Sequence, residues 1–193
     1  MKQLIMLHGI LQRSGTNLLN EILLMSPSVE QPIVKVRENW FLHYSYLLYD
    51  YSERLFQNWS NPEWVGEDFS KEEFYRTIGD ALVKYVGQKI PNLSEKALLS
   101  KTPSVIHLDR SFQLFPDSKV VIIVRDPRDV AASALKTWGR SIRSTVHDWN
   151  LAAKAISDFE KQAPPDSYLL LRYEDLITNQ EYWVRECLQF LGL

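Results

Sequence analysis

Residues 119–133, KVVIIVRDPRDVAAS, decide the fold of this 193-residue chain. The stretch opens with a run of β-branched residues, which is typical of a buried strand. Asp126 and Pro127 follow it as an N-cap residue and a first-turn proline, and they predict the start of a helix. Because the apolar run is continuous rather than alternating, we expect the strand to be covered on both faces, as in a parallel sheet.

Three other stretches repeat the order of apolar run, turn and helical pattern. They are QLIMLHG (residues 3–9), KALLSKTP (96–103) and YLLLRYEDL (168–176). Thr102 and Pro103 predict a further helix start, on the same reasoning as Asp126 and Pro127. Strands that alternate with helices predict one α/β domain over residues 1–193, with a central parallel sheet between two layers of helices.

The bulk composition excludes several classes of protein. The net charge of −2 argues against broad electrostatic binding to nucleic acid. The only cysteine, Cys187, excludes an internal disulfide and a thiolate metal cluster, and its apolar surroundings predict a buried, inert thiol. No signal peptide, 18-residue apolar stretch or metal-ligand spacing is visible. We therefore expect a cytoplasmic protein with no membrane span and no metal.

Residues 38–90 predict a helical insert that is rich in aromatic side chains. Its first part, residues 40–64, holds nine of the chain's 23 aromatic residues. Two interpretations are open, namely a wall over an active site and a second small core.

The segment QRSGTNLL (12–19) lies between the first strand and the first helix, where it predicts an anion site. The backbone N–H groups at a helix N-terminus are unpaired, and the helix dipole favours negative charge there. Gly15 lets the backbone approach a ligand closely, and Arg13 adds a full charge with a planar fork. Side-chain donors come from Ser14, Thr16 and Asn17. The alternative is an ordinary strand-to-helix turn.

A nucleotide-hydrolysing loop is the obvious rival for this segment. In a Walker A loop the second glycine lies five residues after the first, and lysine follows the second glycine directly. Here Gly15 lies six residues after Gly9, and Thr16 follows it in place of lysine. A P-loop kinase is therefore a minor alternative.

Arg125 and Ser133 form a second candidate anion site. Arg125 lies at the carboxyl end of the strongest strand, where ligands bind in open parallel sheets, and Ser133 follows eight residues later. The alternative is that Arg125 forms a structural ion pair with Asp129 or Glu174.

Together, QRSGTNLL and VIIVRDPRDVAAS closely resemble two motifs of the sulfotransferase family, whose members use 3′-phosphoadenylyl sulfate (PAPS). SKTP (100–103) and LRYEDL (171–176) resemble further family segments in the family's order. The resemblance implies a P-loop-like fold and transfer of a sulfuryl group, without a metal, to a hydroxyl or amine of an acceptor that the sequence does not identify. The residues that the resemblance implies bind the donor are, for the 5′-phosphosulfate, Arg13, Ser14, Gly15, Thr16 and Asn17, and, for the 3′-phosphate, Arg125 and Ser133. Tyr173 would lie near the adenine, and the alternative is that it is a buried core tyrosine. Asn17 departs from the more frequent threonine but can still donate a hydrogen bond.

Catalysis needs cations for the developing charge and a general base for the acceptor proton. Arg13 and Lys101 are the candidate cations. The alternative for Lys101 is a solvated surface lysine with no role in the site. For the base we expect Glu38, which follows the first helix at about the distance where several family members keep a catalytic glutamate, with Arg37 as its partner. A surface charge explains Glu38 nearly as well, and the rival bases are His43 and His107.

The chain ends at FLGL (190–193), whereas family members normally continue. We expect a naturally short form, a fragment or a degenerate copy. A non-catalytic protein that keeps the nucleotide-binding fold is therefore the second functional hypothesis.

Overall fold

The computed structural model describes residues 2–32, 38–58 and 70–193. Five parallel strands form one sheet, namely β1 (Gln3–Gly9), β2 (Val29–Glu30), β3 (Ala97–Thr102), β4 (Lys119–Val124) and β5 (Tyr168–Arg172). Their order across the sheet is β2–β3–β1–β4–β5. The four apolar stretches that predicted strands are all confirmed, and the prediction of a parallel sheet is confirmed with them. The two-residue strand β2 is too short to leave a sequence pattern.

Helices connect the strands and flank the sheet. They are α1 (Thr16–Leu24), α2 (Trp40–His43), α3 (Tyr46–Asn58), α4 (Lys71–Gly87), α5 (Leu108–Leu114), α6 (Pro127–Trp138), α7 (Ile142–Glu160), α8 (Tyr173–Thr178) and α9 (Gln180–Phe190). Across the described ranges 2–32, 38–58 and 70–193, no helix combines the length and the apolar character that crossing a membrane requires.

The two predicted proline helix starts have different outcomes. Asp126 caps α6 by accepting a hydrogen bond from the backbone N–H of Arg128, with Pro127 as the first helical residue, so this start is confirmed. The start at Thr102 and Pro103 is wrong, because Thr102 ends β3 and the next helix begins at Leu108. The Thr102 hydroxyl donates to the carbonyl oxygen of Asn39 instead of capping a helix.

Alternate side chains of β1 enter two separate cores, which gives the three predicted layers. Leu4 and Met6 belong to one core, and Ile5 and Leu7 belong to the other. The first core includes side chains of α5 and α7, and the second includes side chains of α1 and α9. Each fully buried aliphatic side chain contributes about 1.5–3 kcal/mol relative to exposure. Cys187 is buried in the second core, and burial raises the pKa of its thiol to about 11, so the expectation of a buried thiol is confirmed.

Within residues 38–90, the described parts are mostly helical, while residues 59–69 lie outside the described ranges. Two aromatic side chains of α3 pack on those of α4. Ring centroids lie 5.3 Å apart for Tyr49 and Tyr75, and 5.5 Å apart for Phe56 and Phe74. These contacts favour a packing role for Tyr49 and Phe56.

The register brings the predicted site segments to one edge of the sheet. His8 of β1 pairs with Thr102 of β3, and Val124 of β4 pairs with Arg172 of β5. Since all strands are parallel, the loops after β1, β4 and β5 leave the sheet side by side. This edge is where ligands bind in open parallel sheets.

Candidate active site

The loop between β1 and α1 is held in shape by Ser14. Its hydroxyl is fully buried, donates to the carbonyl oxygen of Leu11 at 2.7 Å and accepts from the backbone N–H of Leu11 at 3.2 Å. The hydroxyl of Ser14 therefore closes the turn. Gly15 follows as the N-cap of α1, where no side-chain cap bonds to the first turn of the helix.

Gly15 is required for two independent reasons. Its φ of +99° lies in the left-handed region, which L side chains rarely adopt. In addition, a Cβ atom at this position would lie 2.3 Å from Cδ2 of Tyr173. The ring of Tyr173 thus packs directly against the loop backbone, and any larger residue would displace one of them.

Arg13 joins the two predicted anion motifs. Its Nε donates to the hydroxyl oxygen of Ser133 at 2.8 Å, although the two residues are 120 positions apart. The guanidinium carbon also lies 5.6 Å from the ring centroid of Trp138, at the end of α6. Arg13 is exposed, so its charge remains accessible at the sheet edge. Sequence reasoning missed Trp138 at the end of α6, because its contact with Arg13 is long-range and has no signature in the local sequence.

Arg125 leaves β4 toward the same loop. One of its terminal nitrogens donates to the carbonyl oxygen of Arg13 at 3.1 Å, and the guanidinium carbon lies 4.4 Å from the ring centroid of Tyr173. Of the two alternative ion-pair partners, Asp129 lies 3.6 Å away. Glu174 instead accepts a hydrogen bond from the backbone N–H of Asp126 at 2.9 Å.

Lys101 is a buried lysine of β3 rather than a surface residue. Its side chain is only 6% exposed, and its ammonium donates to the side-chain oxygen of Asn17 in the first turn of α1. The structure therefore brings a second cation to the loop. This contact also uses the amide oxygen of Asn17, the residue that departs from the more frequent threonine.

Glu38 is tied to the end of β3 through its neighbour. The backbone N–H of Asn39 donates to the carbonyl oxygen of Lys101 at 2.7 Å, and Thr102 donates to the carbonyl oxygen of Asn39. The half-buried Glu38 carboxylate accepts a hydrogen bond from the indole N–H of Trp40 at 3.1 Å. Its expected partner, Arg37, lies outside the described residues.

Three histidines lie behind this segment. Burial lowers the pKa of His43 to about 4, with smaller effects from the charges of His8 and His107. Burial likewise lowers the pKa of His8 to about 4, against the opposing effect of its 2.7 Å hydrogen bond to the carbonyl oxygen of Ser104. The ring of His107 lies 4.2 Å from that of Tyr46. At neutral pH His8 and His43 are therefore uncharged. Sequence reasoning missed His8, because a single histidine in an apolar run looks like any other strand residue.

Within the described part of the chain, no group of three or more histidine, cysteine or acidic residues is arranged to hold a metal ion. The candidate cations at the edge are the two arginines and Lys101, and its carboxylates include Glu38, Asp126, Asp129 and Glu174. Such a set suits an anionic ligand beside a proton acceptor.

A family model described as the sulfotransferase family matches residues 9–193. The chain belongs to the sulfotransferase family. The match covers both anion motifs and every strand after β1. A curated relative in this family, the protein-tyrosine sulfotransferase of Drosophila melanogaster, is 27% identical over 115 residues. That alignment covers 55% of this chain and 22% of the relative, so the matched region is a minor part of the longer protein.

Solved sulfotransferase structures share the fold. The sulfotransferase domain of the Synechococcus PCC 7002 olefin synthase aligns with a TM-score of 0.64 at 20% identity, covering 100% of this chain and 75% of that one. A mouse sulfotransferase complexed with PAP aligns with a TM-score of 0.54 at 16% identity, covering 100% of this chain and 59% of that one. These likenesses establish a sulfotransferase fold, as the sequence resemblance implied.

Proposed function

We propose that this sulfotransferase-family protein transfers a sulfuryl group from PAPS to a hydroxyl or amine of an acceptor. The observation that carries the proposal is the 2.8 Å hydrogen bond between Nε of Arg13 and the hydroxyl of Ser133. It means that the β1–α1 loop and the Arg125–Ser133 segment lie within one nucleotide's reach. A donor with phosphate groups at both ends of its ribose fits such a pair of sites. The PAP-bound mouse structure of the same fold supports the choice of donor.

We divide this edge of the sheet into a side that binds the donor and a side that binds the acceptor. The donor side comprises loop residues 10–17 with Arg125, Ser133 and Tyr173. We assign the 5′-phosphosulfate to Arg13 and the first turn of α1, and the 3′-phosphate to Arg125 and Ser133. Backbone N–H groups of a helix N-terminus and guanidinium groups both favour bound phosphate. Among the loop side chains, Ser14 contributes by shaping the turn, since its hydroxyl is engaged there.

The acceptor side comprises residues 38–46 and the end of β3. The acceptor oxygen or nitrogen attacks the sulfur, the bond from sulfur to the 5′-phosphate oxygen breaks, and the bisphosphate leaves. Glu38 takes the acceptor proton, while Arg13 and Lys101 stabilise the negative charge that develops on the transferred group and on the leaving phosphate. His43 and His107 remain the rival bases. The low pKa of His43 keeps it unprotonated, but also makes it a weak base.

Ligand titration tests the donor assignment. Adenosine 3′,5′-bisphosphate and ATP with magnesium are titrated separately while thermal stability is followed, because a ligand that binds only the folded state raises that stability. We expect stabilisation by the bisphosphate. Preference for ATP with magnesium would overturn the proposal in favour of a kinase. No response to either ligand would favour a protein that has the fold without binding a nucleotide.

Turnover is tested with labelled PAPS and a panel of small hydroxyl and amine acceptors. Release of adenosine 3′,5′-bisphosphate that depends on the acceptor is the expected result. Tight bisphosphate binding without acceptor-dependent release, for every acceptor, would favour the non-catalytic alternative.

A further inference from the structure

Tyr173 lies between the two phosphate sites. It is the first residue of α8 and follows β5 directly. The guanidinium carbon of Arg125 lies 4.4 Å from the centroid of its ring, and the edge of the ring packs against the backbone of Gly15. Arg125 also donates to the carbonyl oxygen of Arg13, two residues before Gly15, so the ring and the guanidinium both contact the same loop.

Apart from its exposed hydrogen bond to the carbonyl oxygen of Arg13, Arg125 has few contacts that fix its guanidinium. Its ion pair with Asp129 is 3.6 Å long, and the Asp129 side chain is 58% exposed, so solvent screens the attraction. Within the described ranges the buried Nε of Arg125 has no hydrogen-bond partner. The face of the Tyr173 ring is therefore the main enclosed contact of this side chain.

The corner that carries Tyr173 is itself anchored to β4. Arg172 pairs with Val124 in the sheet, and the Glu174 carboxylate accepts a hydrogen bond from the N–H of Asp126 at 2.9 Å. The residues on both sides of Tyr173 thus bind the residues on both sides of Arg125. This arrangement fixes the ring relative to the start of the Arg125 side chain.

We propose that Tyr173 is a positioning residue for the 3′-phosphate, acting through Arg125 by the face of its ring. This inference rests on the proposed function, and it differs from the role near the adenine that the family resemblance implies. A cation over an aromatic face is attracted by the negative charge of the ring's π-electrons. Arg125 then meets the ligand already oriented, so less conformational freedom is lost on binding.

The two roles of Tyr173 predict different ligand dependence. A residue that contacts the adenine affects every adenine nucleotide equally. A residue that orients Arg125 affects only nucleotides that carry a 3′-phosphate. Adenosine 3′,5′-bisphosphate and adenosine 5′-phosphosulfate separate the cases, because only the first has the 3′-phosphate.

The experiment measures the dissociation constants of both ligands, by calorimetry, for wild type and the variants Tyr173→Leu and Tyr173→Phe. We expect Tyr173→Leu to bind the bisphosphate about tenfold more weakly, in line with the loss of one enclosed cation–π contact. Its affinity for the phosphosulfate should stay within about twofold, since this ligand does not need Arg125. The Tyr173→Phe variant keeps the ring face and should bind both ligands like wild type. In an Arg125→Ala background, Tyr173→Leu should have no further effect, which is the coupling that a double-mutant cycle detects.

Three results would overturn the inference. One is an equal loss of affinity for both ligands in Tyr173→Leu, and another is a loss in Tyr173→Phe as large as that in Tyr173→Leu. The third is an undiminished effect in the Arg125→Ala background. Tyr173→Met, which keeps most of the volume without a ring face, gives the same comparison if Tyr173→Leu folds poorly. Wild-type protein that binds neither ligand would overturn the proposed function, and with it this inference. If wild-type protein binds both ligands but the variants give one of the three results above, the inference alone is overturned.

Discussion

The two sides of the sheet edge are built from different interactions. On the donor side, polar and charged contacts join three loops, as in Arg13 with Ser133 and Arg125 with the carbonyl of Arg13. The acceptor side instead packs rings together, as in Trp40 with His43 at 5.1 Å, and buries neutral histidines. Charge recognition demands particular residue types at fixed spacings, whereas a packed apolar wall accepts many sequences. A donor site of the kind we propose therefore leaves a pattern in the sequence, whereas the acceptor does not.

If this division is real, a change at Glu38 must affect turnover and leave donor binding intact. We expect Glu38→Gln to lower kcat by about 10²–10⁴, the usual contribution of a general base. Glutamine can still accept the hydrogen bond from Trp40, so the local structure is preserved. Steady-state kinetics with calorimetric binding of the bisphosphate checks both halves. The control is Glu21→Gln, an exposed position on α1.

Unchanged kcat in Glu38→Gln would remove Glu38 from the mechanism. The variants His43→Gln and His107→Gln, in the same assay, would then identify the base. Weakened bisphosphate binding in Glu38→Gln would contradict the division between the two sides.

Arg125 gives the largest expected effect on the donor side. Under the proposed assignment, its replacement by alanine removes charge-assisted hydrogen bonds to the 3′-phosphate, and we expect bisphosphate affinity to fall about 100-fold. Arg128→Ala is the matched control, since the exposed Arg128 pairs with Asp126. Calorimetric titration of both variants is the measurement. Equal affinities of Arg125→Ala and wild type would refute the 3′-phosphate assignment.

An effect of similar size, on stability, is expected from Gly15→Ala, which tests the contact between the loop and Tyr173. The added methyl group would meet the ring at 2.3 Å on a backbone with φ of +99°. We expect the free energy of unfolding to fall by about 3 kcal/mol or more, because strained left-handed backbone costs about 1–3 kcal/mol and the clash with the ring adds to it. Urea unfolding measures it. The control is Gly139→Ala. Gly139 also has a positive φ, of +67°, but an added Cβ there would have no atom within 4 Å, so this variant measures the cost of the backbone strain alone. Equal losses in both variants would show that the ring contact contributes nothing.

The smallest effect concerns His8 behind the acceptor side. Its pKa is lowered from 6.5 to about 4, so between these values the unfolded chain binds more protons than the folded one. Stability therefore falls as the pH is lowered through this window, and His8 contributes a loss of about 1 kcal/mol from pH 7 to pH 5.5. His8→Gln should reduce the pH dependence by that amount. Urea unfolding at the two pH values is the test, with the exposed His147→Gln as the control. An unchanged pH dependence in His8→Gln would mean that His8 titrates normally.

Much of the fold, and the positions of the two segments that we assign to the donor, could be predicted from the sequence, for local reasons. Continuous apolar runs mark strands buried on both faces, and Asp126 with Pro127 carries its own capping chemistry. Thr102 with Pro103 has similar letters, but its threonine hydroxyl bonds to Asn39, far away in the chain. Whether Lys101 is buried, and which partner Tyr173 meets, likewise depend on neighbouring loops. Such long-range contacts have no signature in the local sequence.

The central position of β1 has a consequence for how the molecule opens. This strand is hydrogen-bonded on both sides, to β3 and to β4, and its side chains are buried on both faces of the sheet. Amide groups in such a strand exchange their hydrogens with solvent only when the whole domain unfolds, whereas peripheral segments exchange through local fluctuations. The Gly15 loop is thus attached at one end to a strand that we expect to be among the slowest to exchange. When peripheral segments open transiently, the end of β1, where this loop begins, stays in place.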